Sequence, residues 1–417
     1  MFRLTMVVNH CMVVFLAILL LQGCDLSSEK KAPVTFLHEH VEWLADDERE
    51  GRLAGSLQEA ASANYIADYF QRSGLLPYVD SETYLQQFVL NGPMVQAMGK
   101  ENHISRNVVG VVEGRVNPDR FIVIGAHYDG QGMGGIISMD LNGDPAIHNS
   151  ADDNASGTAG LMWLANRLAN NPAESTIIFA AFSGEEMGLL GSEFFVQQMD
   201  IPVDSVLAMI NLDMIGRLDD GQLSIFGTGT ANIWDGLLDE VQADSLEITR
   251  VPDGMSSSDH ASFSRAGIPV LHYFTNTHDD YHRPSDTADK INYTGMEWVL
   301  NHAEQVIRKV DVIHPDDIIF TASSAQSSSP TVLEGVTLGV VPDYNFDGTG
   351  FRIDRVRSGS LAEESGFEDG DIIIQINSEN IPNIFSYMEK LNTFSAGDSA
   401  EISVLRNEEE IVLSIIF

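Results

Sequence analysis

Histidine, aspartate and glutamate bind divalent metals and move protons near neutral pH. Six of them stand in a suggestive setting: His127, Asp153, Glu185, Glu186, Asp213 and His282. Four of their segments follow apolar runs that read as buried strands. FIVIGA leads to His127, TIIFAAFS to Gly184-Glu185-Glu186, VLAMINL to Asp213, and PVLHYF towards His282. Asp153 instead opens a helix, in SADDNASG. Ligands of an open α/β sheet gather where strands end, so these distant segments can converge. Neutral imidazoles and carboxylates suit zinc, and a bridging carboxylate can hold two ions roughly 3.5–4 Å apart. Two zinc ions would balance Asp153, Glu186, Asp213 and one hydroxide, leaving the Glu185 charge free to accept a proton.

The elements that must carry these residues can be read from periodicity. The chain has 417 residues and 44% apolar content, enough for a packed core and more than one domain. Residues 37–90 read as mainly helical, with an apolar stripe at Ala60, Ala63, Ile66, Ala67 and Phe70 and a stop at Gly74. From about residue 104 to 275 strands alternate with helices. This predicts an α/β three-layer sandwich, a mostly parallel (mixed) sheet covered by helices. Thr294 with Glu297 reads as a capping box for a helix to about Val310. Serines 323, 324, 327, 328 and 329 ahead of Pro330 mark a linker, and short β-type runs follow from about residue 332. The expected division is 1–23 signal peptide, 24–36 tether, 37–314 catalytic-type domain, 315–331 Ser-rich linker and 332–417 a small β-rich domain.

Charge and cysteine use narrow the function classes. Lys and Arg number 23 against 61 Asp and Glu, a formal charge of −38. Such a surface repels phosphates, so nucleic acid is not an expected partner. Near the amino terminus Arg3 precedes an apolar stretch, Met12 to Leu21, with the length of a signal-peptide core. It ends in Leu21-Gln22-Gly23-Cys24, which resembles a bacterial lipobox whose cysteine is lipid-modified. The resemblance implies anchoring through Cys24 in the cell envelope, on the periplasmic face of either membrane or at the cell surface. Cys11 and Cys24 are the two cysteines, so the domains beyond them hold neither a thiol nor a disulfide, and cysteine catalysis is excluded there.

Five ordered segments carry a family resemblance: Ala126-His127-Tyr128-Asp129, Ala151-Asp152-Asp153-Asn154-Ala155-Ser156-Gly157, Gly184-Glu185-Glu186-Met187-Gly188, Asn211-Leu212-Asp213-Met214 and Tyr281-His282-Arg283-Pro284-Ser285-Asp286. They resemble the M28 zinc metallopeptidases, over roughly residues 37–312. The resemblance implies two zinc ions, one held by His127 and Asp213 and the other by Glu186 and His282. Asp153 would bridge them, and its bond to Asn154 would be cis, as in the family. Glu185 matches the general base and Tyr281 a tyrosine that stabilises the oxyanion in some members. Asp129 would support His127, and Asp286 would support His282. Asp153 is preferred to Asp152 by its place before Asn154-Ala155-Ser156-Gly157, and His278 reads as a rim residue. His260 would line the substrate pocket or serve the structure, while His38, His40, His302 and His314 read as surface residues.

Residues 332–417 resemble a PDZ domain through Leu338-Gly339-Val340, Ser358-Gly359-Ser360-Leu361-Ala362 and Gly366-Phe367-Glu368-Asp369-Gly370-Asp371-Ile372-Ile373. That implies a site for an extended peptide or a protein carboxyl terminus. Asp343, Asn345, Asp347, Gly348 and Asp354 match a calcium-loop spacing, but their flanks read as strands, so a polar hairpin loop is expected. Asp140, Asn142 and Asp144 are likewise read as a loop. The expected activity is removal of amino-terminal residues from peptides with a free amino terminus. The alternatives are a carboxypeptidase or dipeptidase on this scaffold, a glutaminyl cyclase, or a non-catalytic peptide-binding protein.

Overall fold

The computed structural model describes residues 33–417, except 79–82, 141–144, 244, 256–257, 323–335, 337, 343–348, 357–359, 383, 392, 396 and 408. The signal segment with Cys24, the serine run of the linker, Asn142, Asp144, Asp343, Asn345, Asp347, Gly348 and Ser358-Gly359 therefore lie outside the described residues.

Nine strands form the larger sheet: β1 (Leu76–Pro77), β2 (Leu85–Val89), β3 (Ile104–Val112), β4 (Asn117–His127), β5 (Ser175–Phe182), β6 (Val206–Leu212), β7 (Gln222–Phe226), β8 (Glu247–Val251) and β9 (Val270–Phe274). Their order is β1-β3-β5-β4-β6-β9-β7-β8, with β2 also on β3. The centre β5-β4-β6-β9 is parallel, while β3 joins β5 and β7 joins β9 antiparallel. The sheet is thus mixed, with its parallel part where the site residues sit.

Alternate side chains of the central strands enter different cores, as the two-residue period of a strand requires. Ile122, Ile124, Ala126, Ile177, Phe179, Ala181, Ala208 and Ile210 pack with helices Pro33–Leu44, Leu57–Ser73, Gly157–Asn170 and Tyr293–Asp311. Val123, Ile178, Ala180, Phe182 and Met209 pack on the other face with Phe195 and Phe263, from helices Leu190–Gln197 and His260–Arg265. This is the expected three-layer arrangement. Each fully buried Ile or Phe contributes roughly 1.5–3 kcal/mol, so the two cores clamp the central strands and fix their ends.

Local expectations fared unevenly. Gly74 caps Leu57–Ser73 in the left-handed conformation (φ 84°), as expected. Leu76–Pro77 and Leu85–Val89 are strands rather than helix, because β1 and β2 find partners on β3 that no local pattern announces. The cap of Tyr293–Asp311 is Asn292, whose side chain accepts the Gly295 N–H at 2.9 Å, not Thr294. His40 and His302 are buried against Tyr65 and Tyr273 instead of lying at the surface.

A second sheet, with a core of its own, contains β10 (Val340–Pro342), β11 (Phe351–Val356), β12 (Ile372–Ile376), β13 (Glu379–Asn380), β14 (Ser399–Arg406) and β15 (Glu409–Ile416). Their order is β10-β11-β12-β14-β15, with β13 on β12. Helices Leu361–Glu364 and Ile384–Leu391 accompany them. Asp354 lies within β11, and β10 precedes the calcium-like segment, so its flanks are strands. Pro315–Thr321, assigned to the linker on composition, is bound to the first unit. Asn232 N–H donates to the Ile319 carbonyl at 3.2 Å, and Thr321 N–H donates to the Thr230 carbonyl at 2.9 Å. Among the described residues, no helix is long and apolar enough to cross a membrane.

Candidate metal centre and active site

The parallel register brings the strand ends level: His127 pairs with Phe182 of β5, and Leu212 of β6 with Tyr273 of β9. His127 ends β4, Asp213 follows β6, and Glu185 and Glu186 lie just beyond β5. His282 stands in the loop after β9, and Asp153 in the turn Ala151–Ser156 ahead of helix Gly157–Asn170. The Asp153–Asn154 peptide bond is cis. A Cβ on Gly157 would collide with the Leu212 carbonyl, so glycine lets this helix start beneath the end of β6. His282 (φ 53°) and Met214 (φ 52°) are left-handed, a conformation costly for such residues and frequent at functional sites.

Two groups of ligand-type side chains result: His127, Glu185 and Asp213, and Asp153, Glu186 and His282. Asp153 divides its oxygens between them. Oδ1 is 3.3 Å from His127 Nε2, and Oδ2 is 3.1 Å from His282 Nε2. Asp213 Oδ1 lies 3.3 Å from His127 Nε2, and Glu186 Oε2 lies 3.5 Å from His282 Nε2. Ligands held roughly 2.0–2.2 Å from a tetrahedral zinc lie roughly 3.3–3.6 Å apart. These side chains therefore already stand at ligand spacing. Glu185 Oε2 is farther from His127 Nε2, at 4.0 Å. Proximity groups Glu185 with His127 and Asp213, but this longer distance sets it apart as the carboxylate that need not be a ligand.

The electrostatics fit a cation. Burial pushes the Glu186 carboxyl up to about 8 and Glu185 well above its ordinary value. Burial also acts to raise Asp153, but His127 and His282 at its two oxygens outweigh it and hold the group low. Burial opposes protonation of His282, yet Glu186 and Asp153 raise it to about 9. Several carboxyl groups forced together away from water need positive charge, and divalent ions between the two groups would provide it.

The supporting contacts differ from the expected ones. His282 Nδ1 faces the Ile137 carbonyl at 3.0 Å, which leaves Nε2 as the donor atom towards the centre. Asp286 does not support His282. Its carboxylate accepts the N–H groups of Asp152 (2.9 and 3.1 Å) and Asp153 (3.1 Å), because the chain turns after Pro284 towards the Asp153 turn. Asp129 lies on the Nδ1 side of His127, but at 3.7 Å it makes no hydrogen bond there and instead accepts the Glu185 N–H at 3.2 Å. Asp152 is taken by Gly216 N–H (2.7 Å) and His278 (3.1 Å), so neither Asp152 nor His278 joins the groups. Tyr281 stacks obliquely on His282, with centroids 3.9 Å apart. His260 is buried and stacked on His272 at 4.5 Å, a structural placement.

Two supporting residues were missed in the sequence. Gln131 donates to Glu186 Oε1 at 2.6 Å and reaches Asp153 Oδ2 at 3.4 Å. Ser258 donates to Asp213 Oδ2 at 2.7 Å while accepting from Asn211 at 2.8 Å. Neither sits in a periodic or ligand-type pattern. Only the adjacency of Ser258 to Asp259-His260 hinted at it.

Histidines and carboxylates gathered at the carboxyl ends of parallel strands give an α/β protein with two candidate metal-binding groups. More narrowly, residues 107–307 match Peptidase family M28. Among curated relatives, a probable leucine aminopeptidase of Arthroderma otae is 31% identical over 205 residues, 45% of this chain and 53% of that protein. The chain spans about a quarter to a half of the length of the curated relatives it matches first. The fold resembles a zinc aminopeptidase from Bacillus subtilis (16% identity, TM-score 0.55, 68% of this chain and 97% of that one). It equally resembles a glutaminyl cyclase from Bacteroides thetaiotaomicron (17% identity, TM-score 0.53, 66% of this chain and 97% of that one). The fold alone therefore does not choose the reaction.

Proposed function

We propose that the protein is a zinc-dependent aminopeptidase that removes amino-terminal residues from peptides. The observation that carries this reading is the Asp153 carboxylate, shared between His127 and His282, with Glu185 standing off the ligand spacing beside it. Two zinc ions would be held by His127 and Asp213 and by Glu186 and His282, with Asp153 common to both. Bound there, they would polarise the scissile carbonyl and acidify water. Glu185 then takes the proton of the attacking water and delivers it to the leaving amine. Tyr281, whose ring lies against His282, is proposed to steady charge on the carbonyl oxygen. The remaining negative charge of the pocket attracts a substrate ammonium.

The β-rich unit is proposed to be a PDZ-like peptide-binding module. The sequence resemblance and the edge position of β10, where a peptide strand can add, support this. Cys24 is proposed to anchor the chain by lipid at the cell envelope, on the strength of the Leu21-Gln22-Gly23-Cys24 segment alone.

The test compares wild type with Glu185→Gln on free and amino-blocked aminoacyl substrates, with zinc content measured in parallel. The variant keeps its zinc and loses turnover by about 10²–10⁴-fold. Full turnover in the variant removes Glu185 from its role. Hydrolysis of blocked peptides favours a carboxypeptidase, and cyclisation of amino-terminal glutamine without hydrolysis favours a cyclase.

A further inference from the structure

Arg52 is the most unusual charged residue outside the ligand set. Its side chain is fully buried (0% exposed), and among the described residues its hydrogen bonds go to backbone carbonyls. Nε donates to the Tyr128 carbonyl at 2.8 Å. Nη1 donates to Leu44 at 2.6 Å and Asn149 at 2.9 Å, and Nη2 donates to Ser150 at 2.9 Å. The backbone is distorted to deliver it: Glu50, Gly51 and Arg52 are all left-handed, with φ of 43°, 66° and 51°. A Cβ on Gly51 would collide with the backbone of Gly132 and His148, so the turn is wedged against the loop that ends in Asn149 and Ser150. A buried guanidinium without a carboxylate bonded to it, on a strained turn, is costly to keep. Burial lowers its pKa to about 10, but the nearby carboxylates of Asp129, Asp286, Asp153 and Glu186 favour its charge.

The placement of its four acceptors supplies a reason. Tyr128 follows His127, while Asn149 and Ser150 lead into the turn that carries Asp152 and Asp153. The planar fork of one guanidinium therefore spans from the end of β4 to the start of the Asp153 turn. We propose that Arg52 is a positioning residue for the metal centre, setting the gap across which His127 and Asp153 share an ion. This rests on the reading of the five side chains as ligands. A lysine keeps the charge but presents a single nitrogen that cannot reach all four carbonyls.

The experiment measures zinc dissociation constants of the full chain by competition with a chromogenic chelator, at a temperature where circular dichroism shows each protein folded. Arg52→Lys binds zinc ~10–100-fold more weakly than wild type. A lowered thermal midpoint with an unchanged zinc constant overturns the proposal, because a purely structural role moves only the midpoint. Should Arg52→Lys not fold, Asn149→Ala decides. Asn149 Nδ2 ties the same loop to the Ala45 carbonyl and Asp47 at 2.7 and 2.8 Å. Zinc binding weakened by about threefold or more supports the bracket, and an unchanged constant overturns it. A wild type that binds no zinc instead overturns the ligand reading itself.

Discussion

Asp153 shows what single residues contribute and what they need from others. Its oxygens can face two histidines only if its backbone is held, and the Asp286 carboxylate holds it through the N–H groups of Asp152 and Asp153. Replacing Asp286 by Ala leaves those buried donors without an acceptor, at about 1–3 kcal/mol, and frees the turn. We expect Asp286→Ala to raise the zinc dissociation constant ~10–100-fold in chelator competition, with Asp286→Asn intermediate. An Asp286→Ala protein that binds zinc as wild type does would show that the turn is held by other contacts. The ligand-type residues were legible because their types are few and each follows an apolar run or opens a helix. The groups that hold them were not. Gln131, Ser258 and the Ile137 carbonyl reach the centre from loops whose paths only the folded chain defines, and a backbone carbonyl leaves no trace in residue types.

The elements were read best where periodicity is long and worst where a tertiary partner decides. Helix Leu57–Ser73 was legible from its stripe, but the buried Glu59 on it was not. Its carboxylate meets the Tyr128 hydroxyl, and the Ser105 hydroxyl at 3.2 Å; Ser105 in turn bonds Ser183 at 2.8 Å, joining the helix to the ends of β4 and β5. Burial raises the Glu59 pKa above its ordinary value, against the opposing effects of Tyr128 and Arg106. A raised folded-state pKa stabilises the fold below the ordinary carboxylate value, and that contribution is lost as pH climbs through the folded value. Glu59→Gln cannot ionise, so it escapes that loss. Its thermal midpoint should rise relative to wild type as pH climbs from about 4, the ordinary carboxylate range, towards neutral. A midpoint difference that stays flat across that range would mean that Glu59 titrates normally in the fold.

At the scale of the whole chain, the two cores share no residue, and this bears on where the first unit ends. The serine run marked the linker in the sequence, but Pro315–Thr321 was drawn into it because a short turn and a single bridge have no periodicity. In the structure, Ile318 packs against the larger core, Phe320 bridges to Ala231, and Ile319 N–H donates to Asn232 Oδ1 at 2.8 Å. These hydrogen bonds at about 0.5–1.5 kcal/mol each, together with the apolar contact of Ile318, amount to a sizeable part of the ~5–15 kcal/mol by which domains are stable. A chain ending at Ala322 should therefore keep the zinc content, short-substrate turnover and thermal midpoint of the first unit. A chain ending at His314 should melt lower by about 5 °C or more, at ~2–4 °C per kcal/mol. Calorimetry on both truncations decides the boundary, and equal midpoints would place it at His314. If the chain ending at Ala322 also loses activity on long peptides while keeping it on short ones, the β-rich unit acts in recruiting substrate. Equal rates on both would restrict it to another role.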